Sequence, residues 1–196
     1  MSKQYTITVY AEDRIGIVNR ISIIFTRRHI NIQSMMAAET EIPGVYKLTF
    51  VVSAKRDLLE KVVKFIERNV EIHRAFLHDA EEVVFRELGL YKVSISGLKQ
   101  NNLENLLRNY HARILDITPD YFIIEKTGHE TELLDLLHHL EPFGVIEFAK
   151  SGRVSVLKWS KRFHQHLLDL AEEPEEAFKG EIPPNYQRQL TDNQQL

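Results

Sequence analysis

Nine histidines, 28 acidic residues and no cysteine bound the chemistry open to this chain. Without cysteine there is no disulfide, no thiolate nucleophile and no cysteine-ligated zinc. Histidines and carboxylates remain as metal ligands or acid–base groups. Their spacing does not suit either role. His138 and His139 are neighbours in "LLHHL", where consecutive helical side chains point about 100° apart. His164 and His166 in "FHQH" are two apart, which suits a strand and not a helix. His73 and His78 differ in parity and fall on opposite faces of a strand. The expectation is surface histidine and no metal site. "DAEEV" and "EEPEE" read as solvated charge. There is no Walker A loop, dinucleotide fingerprint, H-E-x-x-H or G-x-S-x-G.

One stretch has the make-up of a binding loop. Ala11–Ile21, "AEDRIGIVNRI", joins the strand-like "YTITVY" to an apolar-periodic segment over Arg14–Arg28. Gly16 is expected in the first turn of that helix, where glycine costs roughly 1 kcal/mol against alanine. Asp13 is expected as N-cap, its carboxylate accepting from the amide of Ile15 or Gly16. First-turn amides and the positive helix end form a ready anion site. Glycine removes a side chain that would block approach to them. Asn31 offers both a donor and an acceptor. Ile15, Ile17 and Ile30 would supply aliphatic walls. Such a set suits a free amino acid with an apolar side chain. The other reading is that Gly16 only lets the helix pack closely on the sheet or on a second subunit. The residues alone leave both open. Arg27 and Arg28 in "FTRRHIN" need no ligand, since cations favour a helix C-terminus.

The elements that must hold this loop occur twice. In the first half, Ile7 and Val9 alternate with Thr6 and Thr8, as in a half-buried strand. Ile17, Ile21, Ile24 and Phe25 have helical spacing. A strand over His29–Thr40, a turn at Pro43 and Gly44, and an alternating Tyr46, Leu48, Phe50 and Val52 follow. A helix with Leu58, Leu59, Val62, Phe65 and Ile66 inward, then "EIHRAFLH", completes βαββαβ. The second half repeats the order through Tyr91, Val93 and Ile95, helical Leu103, Leu106, Leu107 and Tyr110, "ARILDI", "YFIIEK", helical Leu133, Leu136, Leu137 and Leu140, and "GVIEFAK". "SGRVSVLKW" adds a possible edge strand. The fold class is α+β, two tandem ferredoxin-like units over residues 1–80 and 81–160. Small units with bare sheet faces and open edges predict a homodimer.

With 43% hydrophobic residues, 27% charged residues and a net charge of −3, the composition is that of a soluble globular protein. There is no basic face for nucleic acid. No apolar run reaches the roughly 18 residues of a membrane span. "MSKQYTITVY" enters a strand at once, without the look of a signal or transit peptide, so a cytoplasmic protein is expected. Residues 161–196 are rich in Glu, Gln, Asn and Pro and read as a partly disordered extension. The alternative is a docking peptide anchored by Phe178 and Tyr186.

"DRIGIVNRISIIFTRRHINIQSM" resembles the first helix and second strand of an ACT domain, the amino-acid-sensing βαββαβ module. "FRELGLYKVSI", "ILDITPDYFIIEKTG" and "VIEFAKSGRVSVLKW" resemble the second half of the small, regulatory subunit of acetolactate synthase (acetohydroxyacid synthase). The likeness runs from about Lys3 to Trp159, and "DITP" and "AKSG" after an ACT-like half make it specific.

The resemblance implies a non-catalytic chain that activates a large catalytic subunit in branched-chain amino-acid synthesis. That partner would carry thiamine diphosphate, Mg²⁺ and FAD, with no cofactor on this chain. The ACT half would dimerise and bind valine between two ACT domains, conferring feedback inhibition. Carried over by position, the effector residues are Asp13, Ile15, Gly16, Ile17, Val18 and Asn31, with Gly16 and Ile17 offering backbone amides. The family often has asparagine at the position of Asp13. A carboxylate there would repel an effector carboxylate that it faced, or pair with the ammonium, or cap the helix. Two rivals stand beside this reading: a stand-alone amino-acid sensor acting on another protein, and an independent enzyme.

Overall fold

A computed structural model of the chain describes residues 3–99 and 102–158. The elements are β1 (Lys3–Glu12), α1 (Ile17–Thr26), β2 (Ile32–Glu39), β3 (Val45–Ala54), α2 (Arg56–Ile66), β4 (Ile72–His78), β5 (Val83–Ser94), α3 (Leu103–Asn109), β6 (Arg113–Ile117), β7 (Tyr121–Gly128), α4 (Glu130–Leu140), β8 (Val145–Lys150) and β9 (Val154–Leu157). Short 3-10 turns cover Ile95–Lys99 and Glu141–Phe143. The βαββαβ order occurs twice, in two compact units, the second spanning Phe85–Ser155.

The first unit is an antiparallel sheet in the order β2-β3-β1-β4. β1 pairs with β3 from Lys3↔Ala54 to Glu12↔Val45. Strand alternation sends Ile7, Val9, Leu48, Phe50 and Val52 to one face, where they are buried with Ile21 and Phe25 of α1 and Leu59, Val62 and Ile66 of α2. Phe65, expected inward, is exposed. Leu59, Val62, Val63 and Ile66 already fill the inward stripe. Phe65 instead carries the Arg28 guanidinium 4.5 Å from its ring centroid, a cation–π contact.

The second unit has the order β6-β7-β5-β8, with β9 also pairing with β5. Tyr91, Val93, Phe122 and Ile124 pack with Leu103, Leu107, Leu136 and Leu140. The Tyr91 hydroxyl donates to the Leu133 carbonyl at 2.8 Å, so its polar end is satisfied inside the core. Between β8 and β9 the "KSGR" loop is held by charge. Lys150 Nζ lies 3.0 Å from Glu87 Oε2 and 2.8 Å from Glu130 Oε1. Arg153 Nε lies 3.9 Å from Glu87 Oε1, and its guanidinium sits 3.7 Å over the Phe85 ring.

The repeat extends to the helix caps. Gly16 before α1 and Asn102 before α3 are both left-handed. His29 (φ 54°) and His111 (φ 52°) close those helices alike, with Ile30 N–H donating to Phe25 O and Ala112 N–H to Leu107 O. Among the described residues no three histidine or acidic side chains are placed to share a metal ion, and no helix is long and apolar enough to cross a membrane. His164, His166, Phe178, Tyr186 and the extension expected over 161–196 lie outside the described residues.

Candidate effector site

The β1–α1 connection departs from the expected helix start. α1 begins at Ile17, not Arg14, and its N-cap is Gly16, not Asp13. Gly16 has φ 87° and ψ 1°, and the Ile17 amide donates to the Arg14 carbonyl at 3.1 Å. That is a type II turn, which needs positive φ at its third residue and so favours glycine. A Cβ on Gly16 would meet nothing within 4 Å. Backbone conformation therefore demands this glycine, and close packing within the chain does not. The penalty for glycine inside a helix does not apply to it.

Asp13 is freed from capping and used elsewhere. Its amide donates to the Gly44 carbonyl at 3.0 Å, in the β2–β3 turn. Its exposed carboxylate makes no hydrogen bond among the described residues. The Ile17 amide is already spent on Arg14. The amides of Gly16, Val18 and Asn19 have no partner among the described residues, as expected of orphan donors at a helix start.

An open depression of about 630 Å³ lies beside the turn, lined by Glu12, Asp13, Arg14, Ile15, Arg20, Val70 and Glu71. Arg14 pairs with Glu12 at 2.9 Å, and Arg20 pairs with Glu71. The Arg20 hydrogen bond holds the Glu71 carboxyl below its ordinary range. With those pairs matched, Asp13 is the one lining charge without an ion pair among the described residues. Ile15 and Val70 stand almost fully exposed at the rim. Ile15 is thus available as a wall. Ile17 and Ile30 are not, because both are buried in the core, and Val18 packs partly against that core.

Asn31 is exposed and directly precedes β2, but at the other end of the unit. Ile32 is level with Val52, which is level with Tyr5. Gly16 follows Glu12, seven residues further along β1. At strand rise this separates the two ends by roughly 23 Å. One small molecule cannot touch Gly16 and Asn31 of the same chain.

Sequence reasoning missed Arg20, Val70 and Glu71. Arg20 and Glu71 are 51 positions apart. The available signal was topological: in βαββαβ the β1–α1 and α2–β4 connections lie at the same end of the sheet, as the Ala11↔Ile72 pair shows.

A family model described as an AHAS small subunit-like ACT domain matches residues 7–74. A model described as the small subunit of acetolactate synthase matches residues 86–159. An acetolactate synthase small subunit from Mycobacterium bovis is 34% identical over 154 residues, covering 79% of this chain and 92% of that protein. The chain belongs to the acetolactate synthase small-subunit family. A Bacillus subtilis acetolactate synthase small subunit is 27% identical over 157 residues, covering 80% of this chain and 91% of that protein. The crystal structure of the Thermotoga maritima acetolactate synthase small subunit matches with a TM-score of 0.73 at 25% identity, covering 80% of this chain and 98% of that one. Membership in the small-subunit family fixes the fold as a tandem pair of ferredoxin-like units opening with an ACT domain.

Proposed function

We propose that this chain is a regulatory subunit that binds the large catalytic subunit of acetolactate synthase, raises its activity and subjects it to feedback by valine in branched-chain amino-acid synthesis. Thiamine diphosphate, Mg²⁺ and FAD belong on the large subunit in this reading, in the cytoplasm, and this chain's residues supply binding and coupling only.

The separation of Gly16 from Asn31 carries the effector part of the proposal. β2 is an edge strand of the first unit, with its outer backbone groups open to pairing. Two chains pairing β2 to β2, antiparallel about a twofold axis, bring one chain's Asn31 level with its partner's β1–α1 loop. Each effector then sits between chains. Its carboxylate meets the orphan amides of Gly16, Val18 and Asn19. Its ammonium meets the side-chain oxygen of the other chain's Asn31. Ile15 covers the aliphatic side chain. A ligand shared between chains responds to how they pack, and that response is the requirement for control.

Sedimentation of the isolated chain with and without valine tests this. The expected result is a dimer that valine stabilises, with one valine per Gly16–Asn31 pair. A monomer that binds valine unchanged contradicts the shared site.

A further inference from the structure

The first βαββαβ set ends in one short turn. β4 ends at His78, β5 begins at Val83, and Asp79–Glu82 lies between. The Glu82 amide donates to the Asp79 carbonyl at 3.1 Å, and the Asp79 amide donates to the Glu82 carboxylate at 2.8 Å. The Glu82 carbonyl accepts from the Lys158 amide at 3.0 Å.

The Asp79 side chain joins this turn to two distant elements. Arg56 Nη1 donates to Oδ2 at 2.6 Å. Lys3 Nζ stands 2.9 Å from Oδ1 as an ion pair, approaching off the hydrogen-bond direction. Lys3 opens β1 and Arg56 opens α2. The contact with Lys3 is the largest influence holding the Asp79 carboxyl below its ordinary range. An isolated surface ion pair contributes little. Here one carboxylate joins three segments, and removing it breaks both ion pairs at once.

β1 is also the strand that ends at the candidate site. It runs ten residues from Lys3 to Glu12, about 33 Å. It is paired with β3 throughout and with β4 over most of its length. β1 is thus the continuous element that joins the Gly16 loop to Lys3.

We infer that Asp79 is a latch, tying the turn that leads out of the ACT domain to β1 and α2, and that the effector's signal passes through it. The inference rests on the effector reading above. Asp79 touches no effector in this scheme and acts as a positioning residue.

Two variants of the full chain test it, Asp79→Asn and Lys3→Gln. The second removes an exposed partner and guards against failure of the first to fold. The latch predicts amide exchange at Glu82 and Val83 at least about tenfold faster in both variants. The coupling predicts valine binding and activation of the large subunit within about twofold of wild type, while activity surviving saturating valine rises at least about threefold. Unchanged exchange at Glu82 overturns the latch. Faster exchange with full valine inhibition overturns the coupling. If the wild-type chain itself binds neither valine, leucine nor isoleucine, the effector reading has failed and the coupling falls with it, while the exchange rates still decide the latch.

Discussion

The amide of Asp13 donates to the carbonyl of Gly44 at 3.0 Å, so the loop leading into α1 is fastened to the turn between β2 and β3. The candidate loop is therefore braced by the hairpin that contains the open β2 edge. In the proposed dimer, a change in how two β2 edges meet would reach the loop through this hydrogen bond. The side chain of Asp13 is left outside this brace, facing the depression.

Gly16→Ala tests the type II turn. Its φ of 87° lies where an L side chain is strained, and the added Cβ would otherwise meet open space. The cost is thus purely conformational, about 1–2 kcal/mol. Chemical denaturation should show that loss, and valine affinity should fall as the turn relaxes. Unchanged stability would mean that the turn is not held at positive φ.

Asp13→Asn tests the role of the unpaired carboxylate. Asp13 is exposed, so at the dielectric of water a carboxylate about 5 Å from the effector's own carboxylate costs roughly 1 kcal/mol, or about fivefold in affinity. Calorimetry should show tighter valine binding in the variant, with the difference shrinking as salt is added. Weaker binding in Asp13→Asn would place the carboxylate on the effector's ammonium instead.

Glu87→Ala tests the buried charge in the second unit. The Glu87 side chain is 2% exposed and faces Lys150 and Arg153, the latter 5% exposed. Removing one partner of a buried pair costs about 3–5 kcal/mol. The lower end is expected, because Lys150 keeps Glu130 and Arg153 keeps the Phe85 ring. Urea denaturation of the variant gives the value directly. A loss below about 1 kcal/mol would show that the ion cluster is incidental to the fold.

His78, expected at the surface, is buried in the first unit, and it is expected to contribute to that unit's stability in mild acid. Burial is the main cause lowering the pKa of His78, with Lys47 acting in the same sense and Glu82 opposing. Above the ordinary histidine pKa of about 6.5, neither folded nor unfolded His78 carries a proton and the full stability is present. As pH falls below that, the unfolded chain takes up the proton first, so stability declines until the lowered folded pKa is passed. Stability measured at about pH 7.5 and about pH 5.5 should drop in wild type and drop less in His78→Gln. Equal drops in both would remove His78 from the account.

The strands and their order were readable because period-2 alternation and helical spacing separate cleanly here, as in Ile7/Val9 against Ile17/Ile21/Phe25. The start of α1 was not. A glycine before a helix and a glycine in its first turn look alike in sequence, and only the positive φ distinguishes them. Ile15, Ile17 and Ile30 are the same residue type, yet one is exposed and two are core. The turn geometry decides that, and no local pattern reports it. Phe65 lies outside the inward stripe of α2, which Leu59, Val62, Val63 and Ile66 already fill. Arg20 and Glu71 meet only through tertiary register, across 51 positions. The placement of Asn31 at the far end of the sheet was implicit in βαββαβ order, since α1 must run the length of the unit before β2 begins.

The central claim is that this chain controls a larger catalytic partner. The most direct measurement mixes the full chain with its cognate acetolactate synthase large subunit and follows acetolactate formation with and without valine. The account predicts that the two co-elute, that activity rises on mixing, and that valine reverses the rise in wild type but not in Gly16→Ala. Separate elution with no change in rate would contradict it.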